Sequence, residues 1–398
     1  MDVAQRLANS SAEQMPGDLE AAFQVPFHFA VRFTREVFSP ANSTLSRELC
    51  TEDGAPGNVL FFVDDNLLQA LPGLTAKVTA YCSFHQVRLL APPVPVKAGE
   101  VGKQGDELAK LHQQLLDLGV DRHNFVCAIG GGAVLDLVGF ACSTFHRGVP
   151  LIRIPTTVLA QNDAGIGVKN GINALGHKNL LGNFCPPKAV INDFGLLATL
   201  SRRDKRAGLA EAIKVALIQD AGFFAWLEGN ASALAAFEPE ASQFAIYRCA
   251  QLHLHKITLG GDPFERGNGR PLDYGHWSAH KLEVLSNHRI RHGEAVAVGM
   301  LLDAFYANLV GLLHEQALAR LLSLLVRLEF PLWYPELADQ EAILQGLEDF
   351  RQHLGGDLSI PMLTGIGSAL DVQQIDRGQM ISALERLRTA EESAPGCR

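Results

Sequence analysis

The stretch FVCAIGGGAVLDLVG, residues 125–139, decides the fold of this chain. It starts as an apolar, β-rich run, continues through three consecutive glycines and passes into a helical pattern. Glycines let a backbone approach a pyrophosphate closely, and the N-terminus of the helix that follows offers N–H donors. The spacing differs from GxGxxG, so a tight turn without a ligand stays open as the alternative.

The segments on either side extend the same pattern. Further β-rich runs are VLFFV (59–63), KVTAY (77–81) and LIRI (151–154), and DELAKLHQQLLDL (106–118) has apolar residues at helical spacing. Alternating strands and helices predict a mostly parallel sheet covered by helices. After residue 200 long helical stretches replace the β-rich runs. We therefore predict a disordered tail at 1–20, an α/β domain at 21–200 and an all-helical domain at 201–398.

Composition excludes several classes of function. The 398 residues are 47% hydrophobic and 19% charged, which suits a large buried core. Lys and Arg total 34 against 43 Asp and Glu, so a general binder of nucleic acid or acidic membranes is not expected. No apolar run reaches the roughly 18 residues of a membrane span. The N-terminus lacks a signal-peptide pattern, and the seven cysteines are scattered, which together favour a cytoplasmic protein.

The helical half contains a candidate metal site. His276 and His280 are four residues apart and so share one face of a helix. His292 begins another helical stretch, and Glu211 lies in an otherwise apolar helix, where a carboxylate needs a partner. Two imidazoles and one carboxylate are a common set of catalytic zinc ligands. Each histidine taken singly has a structural role as its alternative.

Polar residues near strand ends and in glycine-rich loops are candidates for binding a phosphate or a ribose. An acidic residue at a strand end, such as Asp64, can hold a ribose or cap a helix. Loop lysines can clamp a phosphate or be solvated surface residues. The lysines and their neighbours in these loops are Glu100, Lys103, Arg147, Lys169, Lys178 and Asn179.

Together these motifs resemble the sugar phosphate cyclase family, of which 3-dehydroquinate synthase is the best-known type. The resemblance covers about residues 25–380. The matching segments are GEVGK (99–103), GGGAVLD (130–136), RG (147–148), PTT (155–157), DAGIGVK (163–169), KN (178–179), AEAIK (210–214), GHWSAH (275–280) and HGE (292–294).

The resemblance implies a Rossmann-like NAD-binding α/β domain, an all-α metal-binding domain and a homodimer. It implies that Glu211, His276 and His292 bind Zn²⁺ or Co²⁺. The implied NAD-binding residues are Asp64, Asn66, Glu100, Lys103, Gly131, Gly132, Asp136, Thr156 and Thr157. The implied catalytic residues are Asp163, Lys169, Lys214, Lys256, Asp273 and His280. The implied phosphate- or substrate-binding residues are Lys178, Asn179, Arg270 and Arg147, the last reaching across the dimer interface.

The family reaction is a cyclisation in which NAD is not consumed. A sugar phosphate is transiently oxidised, loses phosphate by elimination and is reduced again. Its ring then opens, and an intramolecular aldol step closes a carbocycle. The resemblance therefore implies a phosphate-eliminating carbon–oxygen lyase that acts on a small sugar phosphate, with Lys214 and His280 as candidates for proton handling.

The substrate follows from departures within the family. Asp273 stands where dehydroquinate synthases read Asn, and DAGIG (163–167) is similar to the loop of 2-epi-5-epi-valiolone synthases. His280, Lys256 and Arg270 are features of dehydroquinate synthases, although the alignment leaves the place of Arg270 open. We expect sedoheptulose 7-phosphate as substrate, with a dehydroquinate synthase-like cyclase as the alternative. A metal-dependent polyol dehydrogenase and a non-catalytic binding protein are the readings from other classes.

Overall fold

The structure is a computed structural model that describes residues 20–260, 263–264, 271–353 and 355–393. Arg270 and residues 1–19, nearly all of the predicted tail, therefore lie outside the described residues. The strands are β1 Ala30–Thr34, β2 Asn58–Asp64, β3 Arg88–Leu89, β4 Val94–Val96, β5 Phe125–Gly130, β6 Leu151–Pro155, β7 Lys169–Ala174, β8 His177–Phe184, β9 Ala189–Asp193, β10 Ile360–Gly365 and β11 Ser368–Val372.

The first half is built on one parallel sheet, as the sequence predicts. Its order is β1-β9-β6-β5-β2-β3, with β4 also pairing with β2. Successive residues of a strand point to opposite faces. In β2, Val59, Phe61 and Val63 accordingly enter one core, and Leu60 and Phe62 enter the core on the other face. The sheet is therefore covered on both sides, which explains the unbroken apolar runs.

Helices cover this sheet and form the second half. Those of the first half are α1 Thr44–Glu48, α2 Asp65–Ala70, α3 Leu74–Phe84, α4 Gly105–Asp117 and α5 Gly132–Thr144. Those of the second half are α6 Arg202–Gln219, α7 Ala221–Gly229, α8 Ala231–Ala235, α9 Pro239–Leu259, α10 His276–Leu285, α11 His292–Leu309, α12 Glu315–Arg327, α13 Gln340–His353 and α14 Arg377–Ser393. Among the described residues, no helix is both long and apolar enough to cross a membrane.

Two details differ from the expectations. Residues 77–81 are not a strand but part of α3, because Leu74, Val78, Tyr81 and Cys82 recur at helical spacing and bury one side of that helix. The helical half also holds an antiparallel hairpin, β10–β11, whose first strand is largely buried. The domain division at residue 200 stays a prediction.

Close backbone contacts lock the helices that carry the histidines. A Cβ added at Gly299 in α11 would lie 2.1 Å from the carbonyl oxygen of Gly275, just before α10. A Cβ at Gly293 would lie 1.8 Å from the carbonyl oxygen of Ala207 in α6. Because main-chain atoms cannot rotate away, both positions require glycine. These contacts bring α6, α10 and α11 together.

The substitution Gly299→Ala should lower the free energy of unfolding by about 1–3 kcal/mol, the usual cost of overpacking a tight contact. Denaturant titration followed by circular dichroism measures the change. The matched control is Gly229→Ala at the end of α7, where an added Cβ meets no atom within 4 Å. Equal stability of the two variants would contradict the role of this contact.

Candidate metal and nucleotide site

The three predicted metal ligands come together between three helices. Glu211 lies in α6, while His276 and His292 are the first residues of α10 and α11. One ligand atom from each side chain lies within 4.8 Å of the others. Glu211 is 1% exposed and His276 is 9% exposed, whereas the side chain of His292 is partly exposed, so the cluster opens to solvent on the His292 side.

Hydrogen bonds orient both imidazoles. Nδ1 of His276 lies 3.1 Å from the carbonyl oxygen of Tyr274, and Nδ1 of His292 lies 3.1 Å from Oε2 of Glu283. Since both partners are acceptors, each Nδ1 carries a proton, which leaves Nε2 as the ring atom available to a metal. Burial lowers the pKa of His276 well below its usual value, which keeps the ring neutral. The ring of His276 is therefore in the state that binds a metal.

The Glu211 carboxylate fits the same role. Neither of its oxygens makes a well-aligned hydrogen bond with a described residue, although Lys214 Nζ lies 2.5 Å from Oε2 as an ion pair. Burial raises the pKa of Glu211. A buried carboxylate oxygen without a full set of partners is costly. A divalent cation between Glu211 and the two Nε2 atoms would remove this cost.

A second set of possible ligands overlaps the first. His280, Glu283 and His292 also place ligand atoms within 4.8 Å of one another. Both oxygens of Glu283, however, already have partners, Oε2 at His292 and Oε1 at Lys178 Nζ, 3.1 Å away. Burial alone would raise the pKa of Glu283, but His292 and Lys178 outweigh it and hold that pKa well below its usual range. Glu211 is therefore the better ligand.

Buried side chains fix the turn that presents His276. Asp303 in α11 accepts hydrogen bonds from the Gly275 backbone at 3.1 Å and from Trp277 Nε1 at 2.8 Å. The Tyr274 hydroxyl donates to the Met300 carbonyl at 2.7 Å. Gly275 has φ +76°, a conformation that favours glycine. The position of His276 is thus set from both sides of its own residue.

Most of the predicted NAD-binding residues gather at the carboxyl ends of β2, β5 and β6. Lys103, 2% exposed, places Nζ 2.6 Å from Asp136 Oδ2 and 2.5 Å from Asn179 Oδ1. The Thr156 amide donates to the Gly130 carbonyl at 3.0 Å. Ligands of open parallel sheets bind at this edge.

The glycine turn itself is tightly enclosed. A Cβ at Gly131 would lie 3.3 Å from Thr157 Cγ2, and one at Gly132 would lie 3.2 Å from Ala164 Cβ. A side chain there would crowd the start of α5. The turn therefore leaves its amides at a helix N-terminus, the arrangement that receives a phosphate group.

Asp64 caps a helix. Its Oδ1 accepts hydrogen bonds from the backbone amides of Asn66 at 3.0 Å and Leu67 at 3.2 Å. The capping alternative is thus realised at the start of α2. The roles of Asp64 and Asn66 toward a ribose stay predictions.

Lys178 joins the nucleotide side to the metal side. Its Nζ lies 3.1 Å from Glu283 Oε1 and 3.8 Å from Glu100 Oε1. Glu100 also accepts a hydrogen bond from Asn173 Nδ2 at 3.0 Å. Lys178 therefore connects the two clusters through ion pairs. Both carboxylates pair with Lys178 in this structure. Its role in holding a phosphate stays a prediction.

Arg147 lies outside this cluster. It is exposed in the short turn Phe145–Arg147 and has φ +65°. Its predicted contact with a phosphate requires a second copy of the chain, and that contact stays a prediction.

The loop with Asp163 and Lys169 is held by a residue that the sequence analysis missed. Arg153 in β6 is fully buried, and its guanidinium donates to the carbonyls of Gly165, Gly167 and Lys169 at 3.2, 2.6 and 3.2 Å. Asp163 itself lies in a π-helical turn, Ala160–Ala164, a geometry frequent at functional sites. A charged residue inside the apolar run LIRI was the available signal.

Two further site residues were also missed. His253 in α9 is buried and places Nδ1 3.2 Å from Asp163 Oδ1. Glu283 binds His292 as described. The signals were periodic ones, since His253 lies three residues before Lys256 and Glu283 lies three after His280. Neither pattern identifies its partner without the tertiary structure.

Comparison with known proteins identifies the family of this chain. Residues 93–207 match the 3-dehydroquinate synthase N-terminal family, and residues 208–351 match the 3-dehydroquinate synthase C-terminal family. The chain is 35% identical over 280 residues to 3-dehydroquinate synthase of Shewanella halifaxensis, covering 70% of this chain and 77% of that protein. It belongs to the 3-dehydroquinate synthase-like family of sugar phosphate cyclases.

Other relatives lie in the valiolone branch of that family. The chain is 40% identical over 258 residues to 2-epi-5-epi-valiolone synthase of Streptomyces glaucescens, covering 65% of this chain and 66% of that protein, just under two thirds. The structure of 2-epi-5-epi-valiolone synthase from Streptomyces hygroscopicus subsp. jinggangensis, with NAD⁺ and Zn²⁺ bound, superimposes with a TM-score of 0.84 at 32% identity. That match covers 94% of this chain and 99% of the other.

The substitution Glu211→Gln should weaken Zn²⁺ binding, because a neutral amide replaces the charged ligand. We expect a loss of at least the roughly 10–100-fold that follows removal of an outer-shell partner. Competition with a chromogenic chelator measures the affinity. The control Glu329→Gln removes a carboxylate from an exposed ion pair with Arg202. Zn²⁺ affinity like that of the control would remove Glu211 from the ligand set.

Proposed function

We propose that this chain cyclises sedoheptulose 7-phosphate to a C7 cyclitol of the valiolone type, with NAD and Zn²⁺ or Co²⁺ as cofactors, as a homodimer. The observation that carries the proposal is the connection of the carboxylate–two-histidine cluster to the nucleotide side. Lys178 contacts Glu283, which binds His292 of that cluster, and it also contacts Glu100 on the nucleotide side. This is the layout needed to oxidise and reduce a ring carbon next to a metal.

Each of the two cofactors has a matching set of residues. Glu211, His276 and His292 would hold the metal, and the glycine turn with Glu100, Lys103 and Asp136 would hold NAD. When bound, NAD supplies a hydride acceptor and the metal supplies a Lewis acid that polarises a substrate oxygen. Support comes from the relative of Streptomyces hygroscopicus, which binds NAD⁺ and Zn²⁺.

Proton handling falls to groups beside the metal ligands. Burial alone would lower the pKa of Lys214, but the carboxylates of Glu211 and Asp163 outweigh it and raise that pKa. Lys214 is therefore a charged donor at neutral pH, and we assign proton transfer to Lys214 and His280. Lys178, Asn179 and the partner copy's Arg147 would receive the charge of the leaving phosphate, together with the catalytic Lys169.

Asp273 supports sedoheptulose 7-phosphate as the substrate. It lies in the short helical turn Pro271–Asp273, and its charge acts on Lys214 and on Asp371 of β11. A carboxylate at this point would repel an acid substrate and accept hydrogen bonds from hydroxyl groups. Sedoheptulose 7-phosphate carries hydroxyls where the dehydroquinate synthase substrate carries a carboxylate.

The alternative is a dehydroquinate synthase-like cyclase. It is favoured by the similarity to 3-dehydroquinate synthase of Shewanella halifaxensis and by the presence of His280 and Lys256.

Phosphate release from two substrates, offered side by side with NAD and Zn²⁺, distinguishes these functions. We expect release from sedoheptulose 7-phosphate, no release from 3-deoxy-D-arabino-heptulosonate 7-phosphate, and no net change in NADH absorbance. Release only from the second substrate would favour the alternative. Accumulation of NADH without phosphate release would indicate a polyol dehydrogenase.

The substitution Asp273→Asn should shift substrate preference toward the acid substrate, since it removes the repelling charge. The ratio of kcat/KM for the two substrates measures this shift, and we expect a change of at least tenfold, about 1.4 kcal/mol. The control Asp371→Asn removes the neighbouring carboxylate on β11. An unchanged ratio would exclude Asp273 as the residue that reads the substrate.

A further inference from the structure

Glu283 divides its carboxylate between the two halves of the molecule. It lies in α10 at positions +7 and +3 from His276 and His280, on the same helix face. Oε2 accepts a hydrogen bond from His292 Nδ1 at 3.1 Å, and Oε1 accepts one from Lys178 Nζ, also at 3.1 Å. The residue is 4% exposed, so these bonds replace contacts with water.

We propose that Glu283 is a positioning residue that fixes the metal ligand His292 and, through Lys178, links it to the nucleotide loop at Glu100. The proposal rests on the metal and NAD sites of the proposed function.

The proposed positioning role acts on the ring of His292. An acceptor at Nδ1 fixes both the tautomer and the orientation of an imidazole, and it raises the basicity of Nε2. His292 begins α11, and its side chain is partly exposed, so packing alone does not hold the ring. The carboxylate of Glu283, buried in the neighbouring helix, supplies that restraint.

The proposed link runs from Glu283 through Lys178 to Glu100. Lys178 lies in β8 of the β7–β8 hairpin, and its Nζ is also 3.8 Å from Glu100 Oε1. Asn173 in β7 donates to the same carboxylate at 3.0 Å and accepts from the Asn179 amide at 2.9 Å. A ligand that displaces Glu100 would therefore change the charge surroundings of Lys178, the partner of Glu283. Linkage then requires NAD and the metal to change each other's affinity by the same factor.

Zn²⁺ affinity of the full chain, measured without sugar phosphate and with or without NAD, tests both the positioning role and the link. Glu283→Gln should lower the affinity about 10–100-fold. Glu283→Asp keeps the charge, so its Zn²⁺ affinity should lie between those of wild type and Glu283→Gln. The matched control is Asp349→Asn. It removes the exposed carboxylate that pairs with Lys281, and Lys281 lies in the same helix as Glu283. In the Co²⁺-loaded protein, Glu283→Gln should also shift the visible absorption bands, a signature of ligand geometry that a purely structural role would not move.

Lys178→Met tests the link. It should reduce the ratio of Zn²⁺ affinities with and without NAD to one, whereas wild type should show a ratio of at least fivefold. The Glu283–His292 bond remains in this variant, so its Zn²⁺ affinity without NAD should exceed that of Glu283→Gln.

Different outcomes overturn different statements. If Glu283→Gln and Glu283→Asp bind Zn²⁺ like the control, the positioning role is wrong. If Lys178→Met keeps the wild-type ratio, or wild type shows none, the link is wrong. A wild-type chain that binds Zn²⁺ and NAD but cyclises neither sugar phosphate contradicts the proposed function alone.

Discussion

One buried charge organises the centre of this molecule. Glu211 sits inside an apolar helix, where an isolated carboxylate would cost several kcal/mol. Lys214, one turn later, forms an ion pair with Glu211, and two imidazoles from the neighbouring helices lie beside the carboxylate. Because those imidazoles must reach Glu211, α10 and α11 have to begin within a few ångströms of α6. The glycine contacts at Gly275, Gly293 and Gly299 permit that approach.

The α/β half also depends on glycine, but there glycine keeps an edge of the sheet open rather than bringing helices together. Its sheet is buried on both faces, so most of its polar groups lie at strand ends. The glycine turn after β5 keeps that edge open for a ligand, and Lys103 neutralises Asp136 beside it. Arg153 then ties the loop with Asp163 to the sheet through backbone carbonyls. Each half thus presents a preformed set of groups, and Lys178 brings the two sets together.

Features carried by local sequence could be predicted. The strand–glycine–helix unit at 125–139 and the spacing of His276 and His280 follow from nearest-neighbour periodicity, and both have the expected structure. Glu283 and Lys178 are 105 residues apart, so their contact depends on how the domains pack. Residues 77–81 show the converse failure, since β-branched residues suggested a strand while a buried helix face decided the outcome. The hairpin β10–β11 gave no signal in an otherwise helical half.

The contact between Gly299 and the Gly275 carbonyl has a consequence for engineering. The separation between the start of α10 and the part of α11 around Gly299 is set by close main-chain contacts. A redesign of the hydrophobic interior of the helical half for heat resistance therefore has to keep both glycines if the spacing of the histidine pair is to be preserved. Likewise, transplanting this ligand pair into another helical scaffold requires copying both glycines along with the histidines.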